Sequence, residues 1–381
     1  MRSSVRSDID PFIVMDVMEA ARRAEAEGRR IIHMEVGQPG TPAPAAARAA
    51  LARAMQSDAL GYTVALGLPA LRRRIARHYG AAHGIDLDPA RVVVTAGSSA
   101  AFLLAFTALF DAGDRVALGE PGYPSYRQIL RALSLVPVGI PTRAEDRFQP
   151  LSADIPQDVR GLIVASPANP TGTVLGREAL AALMAAAADR GIAFISDEIY
   201  HGLTYGAPAT SALEIGEDAY VINSFSKFYS MTGWRVGWMV VPAAHVRIVE
   251  RLAQNMFICP PHASQVAALA AMDCEDELAA NREVYAANRR LMLEGLPRAG
   301  ITRFAPPDGA FYLYADVSGL TPDSRDLCRR LLDVAGVAVT PGLDFDPRRG
   351  AGTLRFSYAR ATDDIAEGLR RLERHLPDLC G

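Results

Sequence analysis

Between about Val92 and Val241, seven short runs rich in valine and isoleucine alternate with helical stretches, and this alternation constrains the fold more than any other feature. The runs are "RVVVTAG", "DRVALGEPGYP", "LSLVPVGIP", "GLIVASPANPTG", "GIAFISDEIY", "AYVINSFSK" and "WRVGWMVVP". Strands that are apolar throughout need cover on both faces, and helices between them supply it, so the pattern predicts an α/β fold with a mostly parallel sheet flanked by helices. A long helix is predicted over 275–298, followed by the strands "GAFYLYADV", "GVAVTPG" and "TLRFSYA". The helical segment before Ile31 has no place in the main sheet and is expected to pack on the C-terminal part. The expectation is therefore a large domain with a seven-stranded sheet and a smaller α+β domain built from both chain ends. Its divisions are 1–45 for an arm and small-domain segment, 46–282 for the large domain and 283–381 for the small one.

Composition narrows the function classes. At 381 residues the chain is long enough for two domains, and 22% charged residues is ordinary for a globular protein. A net charge of −3 provides no general attraction for nucleic acid or anionic membrane. Apolar stretches such as "AAFLLAFTALF" are far too short to span a bilayer, and no secretory signal is read at the start. Cys259, Cys274, Cys328 and Cys380 form no CxxC pair, and the seven histidines include no HExxH. Reduced thiols, a cytoplasmic location and no metal site are the expectations.

The chemistry is carried by the strand ends. Of 40 basic residues only one is lysine, Lys227 in "NSFSKFYSMTGWR". Arginine serves wherever a cation alone is wanted, but a guanidinium is never the free amine that attacks a carbonyl. Several strands end in polar residues (Ser98 and Ser99, Asn169, Asp197, Ser224), where ligands bind in open α/β sheets. "TAGSSAAF" turns a strand into a helix and offers backbone N–H groups to a phosphate. Ser224 and Ser226 add hydroxyls, and Arg235 adds a two-pronged donor. Asp197 suits a protonated ring nitrogen; Tyr200 and Asn169 suit a phenolic oxygen, and Tyr123 a ring face. Simpler readings stand beside these: small residues for close packing, a capping carboxylate, a surface arginine.

With these motifs in order, the chain resembles the fold-type I, pyridoxal phosphate-dependent aminotransferases of classes I and II over nearly its whole length. The matching stretches are "GYTVALGLPALR", "TAGSSAA", "PGYPSY", "SPANPTG", "SDEIY", "SFSKFYSMTGWRVGW" and "LRFSYA". The resemblance implies that Lys227 forms the Schiff base with pyridoxal 5′-phosphate, with Asp197 on the ring nitrogen and Tyr200 and Asn169 on the ring oxygen. It implies Ser98, Ser99, Ser224 and Arg235 at the phosphate, joined by Tyr62 from a second subunit, hence a homodimer with composite sites. It places Arg355, Asn169 and the backbone of Gly37 on the substrate α-carboxylate. It also implies transfer of an amino group from an L-amino acid to a 2-oxo acid by a ping-pong mechanism. Some aspartate-preferring relatives carry a lysine just after the "TAG" turn. Ser99 or Ala100 stands there instead, which favours a neutral or aromatic donor. A carbon–sulfur lyase or another α-carbon eliminase on the same fold is the alternative. A non-catalytic ligand sensor, which would need a basic helix-turn-helix extension that is not read here, is the remote one.

Overall fold

The computed structural model describes residues 2–379, and Cys380 lies outside the described residues. Thirteen strands are present among them: β1 (Ile32–His33), β2 (Val92–Thr95), β3 (Arg115–Glu120), β4 (Val136–Pro141), β5 (Gly161–Ala165), β6 (Ala193–Asp197), β7 (Tyr220–Ser224), β8 (Gly237–Val240), β9 (Arg303–Phe304), β10 (Tyr312–Asp316), β11 (Val337–Ala338), β12 (Thr340–Pro341) and β13 (Thr353–Ser357). Seven form one sheet in the order β2-β8-β7-β6-β5-β3-β4. Within it only β8 runs antiparallel to its neighbours.

Alternate residues of these strands feed two separate cores, as the two-residue period of a strand requires. Val93, Ile163, Ile222 and Met239 join the core on one face, where Phe102 and Phe106 of the helix Gly97–Leu109 pack. Val92, Val94, Leu162, Val164, Val221 and Trp238 join the other, with Leu180 and Leu183 of the helix Arg177–Asp189. Burial on both faces explains why the strands read as unbroken apolar runs. β4, with prolines at both Pro137 and Pro141, takes the sheet edge, where a missing N–H does least harm.

The smaller sheet, in the order β12-β13-β10-β9, is antiparallel. The two ends of the chain meet where β1 pairs in parallel with β11. The helix Ile13–Ala26 packs there too, as expected, with Ala21 and Ala24 against Ile31, Leu332 and Ala338. The long helix spans Glu275–Arg298, as its pattern predicts. One expectation is modified. "GVAVTPG" is two short strands rather than one, β11 facing β1 and β12 facing β13, because the chain changes partner at Val339. Among the described residues no helix is long and apolar enough to cross a membrane.

Candidate active site

The sheet order explains how distant motifs meet. β5, β6 and β7 are parallel neighbours, so Ala165 with the following Asn169, Asp197 and Ser224 all emerge at one edge. β8 runs the other way and pairs Gly237 with both Thr95 and Ser224. Its beginning therefore lies at that same edge, and Arg235, two residues earlier, arrives beside the turn that follows β2. Antiparallel β8 is what brings the arginine to the helix start.

At that turn Gly97 has φ +78°, and a Cβ there would lie 2.5 Å from a terminal nitrogen of Arg235. Only glycine allows both the left-handed backbone and the guanidinium lying across it. Ser98 and Ser99 follow in the first turn of the helix Gly97–Leu109, where N–H groups lack intrahelical partners. Arg235 itself is held in the left-handed region (φ 52°) with Nη1 donating to the Thr232 carbonyl at 2.9 Å. The Ser224 and Ser226 hydroxyls stand 2.9 Å apart behind it. A cation, free amides and hydroxyls on one spot constitute an anion cradle.

Asp197 is 3% exposed. Its carboxylate accepts from the Tyr126 hydroxyl and from the Ile199 amide (3.1 Å), neither of them charged. Burial pushes its pKa up to about 6, with those two hydrogen bonds opposing the rise. Such a carboxylate is suited to a cation brought from outside the chain. Tyr126 was not anticipated from the sequence; its one signal is a position three residues beyond Tyr123 in "PGYPSY", at the start of the helix Pro124–Ala132. Tyr123 packs edge-on against both Tyr126 and Phe12 of the N-terminal arm, with ring centroids 5.3 and 5.9 Å away.

Lys227 is partly buried, and its Nζ donates to the Gly37 carbonyl at 2.6 Å. Burial lowers its pKa to about 8, helped by the cations of Arg355 and Arg235 and opposed by Asp197. About a tenth is therefore unprotonated at pH 7, far more than of an ordinary lysine, as a nucleophilic amine requires. Tyr200 lies beneath it, with Nζ 5.7 Å from the ring centroid. The Tyr200 hydroxyl is 2.9 Å from that of Tyr312, a residue with no signal in the sequence beyond its strand pattern.

Arg355, in the middle of β13, is 2% exposed. Its guanidinium lies 4.5 Å from the Tyr312 ring centroid and 4.6 Å from that of Phe345. Nη1 donates to Asn169 Oδ1 at 3.0 Å, and Nη2 to the Glu35 carbonyl, while Nε has no partner. Glu35 is fixed in turn by His33, whose Nδ1 lies 2.8 Å from its carboxylate. Glu35, the larger influence, and Glu25 hold that imidazole up at about 9 against burial. A buried guanidinium with a spare donor is an anchor for a carboxylate.

Of the residues singled out from the sequence, one stands apart. Tyr62 is 82% exposed on the loop before the helix Pro69–His83, and no hydrogen bond links it to the others within a single chain. The rest come together as a carboxylate, an amine, a guanidinium and an anion cradle at one edge of the sheet. This donor set fits a planar ring with a basic nitrogen, a carbonyl and a phosphate, which is the chemistry of pyridoxal 5′-phosphate.

Comparison with known proteins agrees. The family described as "Aminotransferase class I and II" matches residues 29–372. The valine–pyruvate aminotransferase of Mycobacterium tuberculosis is 50% identical over 383 residues, covering 99% of each chain. A solved structure from Silicibacter pomeroyi is 68% identical, with a TM-score of 0.95 over 99% of this chain and 100% of that one. The Thermus thermophilus aspartate aminotransferase solved with maleate is 31% identical, with a TM-score of 0.92 over 98% and 100% of the two chains. This chain thus belongs to the class I and II aminotransferases, enzymes of fold type I that use pyridoxal 5′-phosphate.

Proposed function

We propose that this aminotransferase takes its amino group from a neutral L-amino acid, aliphatic or aromatic, and passes it to a 2-oxo acid in two successive half-reactions. The observation that carries the reading of an amino acid substrate is the setting of Arg355. Its guanidinium is sandwiched between Tyr312 and Phe345, and its unpartnered Nε suits the α-carboxylate that every amino acid has. The turn after β2 presents Ser99 and Ala100 at the place where some aspartate-preferring relatives carry a lysine for a second carboxylate. A neutral donor also accords with the relative named for valine and pyruvate.

In this reading Lys227 binds the cofactor covalently. Asp197, backed by Tyr126, holds its ring nitrogen protonated, and Tyr200 and Asn169 serve its ring oxygen beside Tyr123. Gly97's turn, Ser98, Ser99, Ser224, Ser226 and Arg235 hold the phosphate. When bound, pyridoxal phosphate supplies an aldehyde that captures amines and a cationic ring that draws electrons from the α-carbon. Arg355 and Asn169 orient the substrate carboxylate, with the Gly37 backbone beside them. With its amine free, Lys227 would take the proton from the substrate α-carbon as a base and deliver it as an acid to the carbon that carried the cofactor's aldehyde, a role suited to a pKa of about 8.

Two chains complete the site in this proposal. Tyr62, Val64, Met256 and Ile258 are 82, 56, 42 and 52% exposed. The two segments that carry them are tied together, since the Thr63 amide donates to Cys259 Sγ and His262 Nδ1 lies 2.9 Å from the Gly61 carbonyl. An apolar patch bearing an outstretched tyrosine suits a twofold partner. Tyr62→Phe is expected to weaken cofactor retention without loss of helix content by circular dichroism. Mixing it with Lys227→Ala should restore activity through hybrid sites that have both residues intact. No recovery despite verified subunit exchange would count against action across the interface. The proposed division of each chain keeps 46–282 as the cofactor-binding unit, with 1–45 as an arm and small-domain segment and 283–381 as the small domain.

The donor class is tested with stoichiometric holoenzyme, mixing it with single amino acids and following loss of the cofactor's visible absorbance band. Valine, leucine and phenylalanine are expected to react faster than aspartate or glutamate by about tenfold or more, since a second carboxylate would be buried without a counter-charge. Faster reaction with either acidic donor would overturn the reading.

A further inference from the structure

Tyr312 stands where three parts of the site meet, although it belongs to none of the motifs that identified it. It is 1% exposed, in the first position of β10. Its hydroxyl lies 2.9 Å from that of Tyr200. A Cβ at Gly37 would fall 1.7 Å from the same hydroxyl, so the residue whose carbonyl accepts from Lys227 must be glycine for Tyr312 to fit. Its ring faces the Arg355 guanidinium at 4.5 Å.

Two neutral phenols in contact share one hydrogen bond, and each hydroxyl has one proton to give. Burial raises both pKa values, so both hydroxyls keep their protons near neutral pH. In its proposed role Tyr200 gives its proton to the cofactor's ring oxygen, so at the 2.9 Å contact with Tyr312 it can only accept. Tyr312 is then the donor and Tyr200 the acceptor. With its oxygen occupied in this way, Tyr200 keeps its own proton for another acceptor, and becomes a stronger donor because linked hydrogen bonds polarise one another.

We propose that Tyr312 is a positioning residue, whose hydroxyl donates to Tyr200 so that the Tyr200 proton faces the cofactor's ring oxygen, and whose ring holds the Arg355 guanidinium in plane. The inference rests on the proposed roles of Tyr200 and Arg355. It deepens them by linking the cofactor's ring oxygen to the carboxylate anchor through one side chain.

The test is a spectrophotometric pH titration of the visible band of the holoenzyme, without substrate. A donor to the ring oxygen stabilises its deprotonated form, so weakening that donor moves the midpoint up. Tyr312→Phe keeps the ring and removes the hydroxyl. Its midpoint is expected to rise by roughly half to one pH unit, the scale of one neutral hydrogen bond. Tyr200→Phe should raise it further, and the double variant should match Tyr200→Phe alone, because Tyr312 acts through Tyr200. An unmoved midpoint in Tyr200→Phe would overturn the reading of Tyr200 and the inference with it. A moved midpoint there, with none in Tyr312→Phe or with additive shifts in the double variant, would overturn the inference alone. The ring is tested by binding of 3-methylbutanoate to the holoenzyme. Tyr312→Phe should leave its dissociation constant within about twofold, while Tyr312→Leu should raise it about fivefold through loss of the cation–ring contact. Equal affinity in all three proteins would remove the Arg355 half of the proposal.

Discussion

Lys227→Arg is expected to abolish covalent retention of pyridoxal phosphate and to lower turnover by about four orders of magnitude, with the fold intact. The magnitude is the upper end of what a positioned acid–base group contributes, and it is set there because covalent capture is lost as well. Arginine keeps the positive charge, and its N–H groups can still reach the Gly37 carbonyl that Lys227 Nζ meets at 2.6 Å. What it cannot do is deprotonate. The environment makes that difference decisive, since burial beside Arg355 and Arg235 has already brought the lysine down to about 8. The measurement is borohydride reduction of the holoenzyme followed by peptide mass mapping. A pyridoxyl adduct is expected on the peptide containing Lys227 and on none in the variant. An adduct at any other residue of the parent would refute the assignment.

Arg355→Lys is expected to reduce kcat/KM by roughly two orders of magnitude for every donor alike, with little change in the cofactor's absorbance. Several hydrogen bonds converge on the guanidinium: Nη1 to Asn169, Nη2 to the Glu35 carbonyl, with Nε to spare. A planar fork can keep those contacts and still meet a carboxylate, whereas an ammonium offers one point of charge and loses the stacking between Tyr312 and Phe345. The α-carbon would then sit poorly for Lys227, and misplacement by about 1 Å can lower a rate about a hundredfold. Steady-state kinetics over valine, leucine, phenylalanine and alanine decide the matter. Loss confined to one donor class would mean that Arg355 reads the side chain, not the carboxylate.

Much of the site was legible because its parts are local. "SFSK" with an arginine nearby, "SDEIY" and "SPANPTG" each place a reactive group at the end of a strand, and the strand itself declares its position through its apolar run. Tyr126 and Tyr312 were not legible. Each is an ordinary aromatic in an amphipathic or buried segment until a partner is known. Tyr126 acquires meaning from Asp197, 71 residues away, and Tyr312 from Tyr200, 112 residues away.

The sequence by itself determined the α/β class, through seven apolar runs that only a sheet covered on both faces can bury, and the one residue with a replaceable charge but an irreplaceable amine, Lys227. The tertiary structure alone decided what surrounds that amine. The Gly37 carbonyl reaches it across 190 positions, and the Glu35 carbonyl reaches Arg355 across 320. The turn of Gly97 meets Arg235 only because β8 runs against its neighbours. The reason is physical. Side-chain period and composition are properties of a few adjacent residues, whereas a carbonyl's partner, a ring's stacking cation and a buried group's pKa depend on which distant segments the sheet order brings to the same edge.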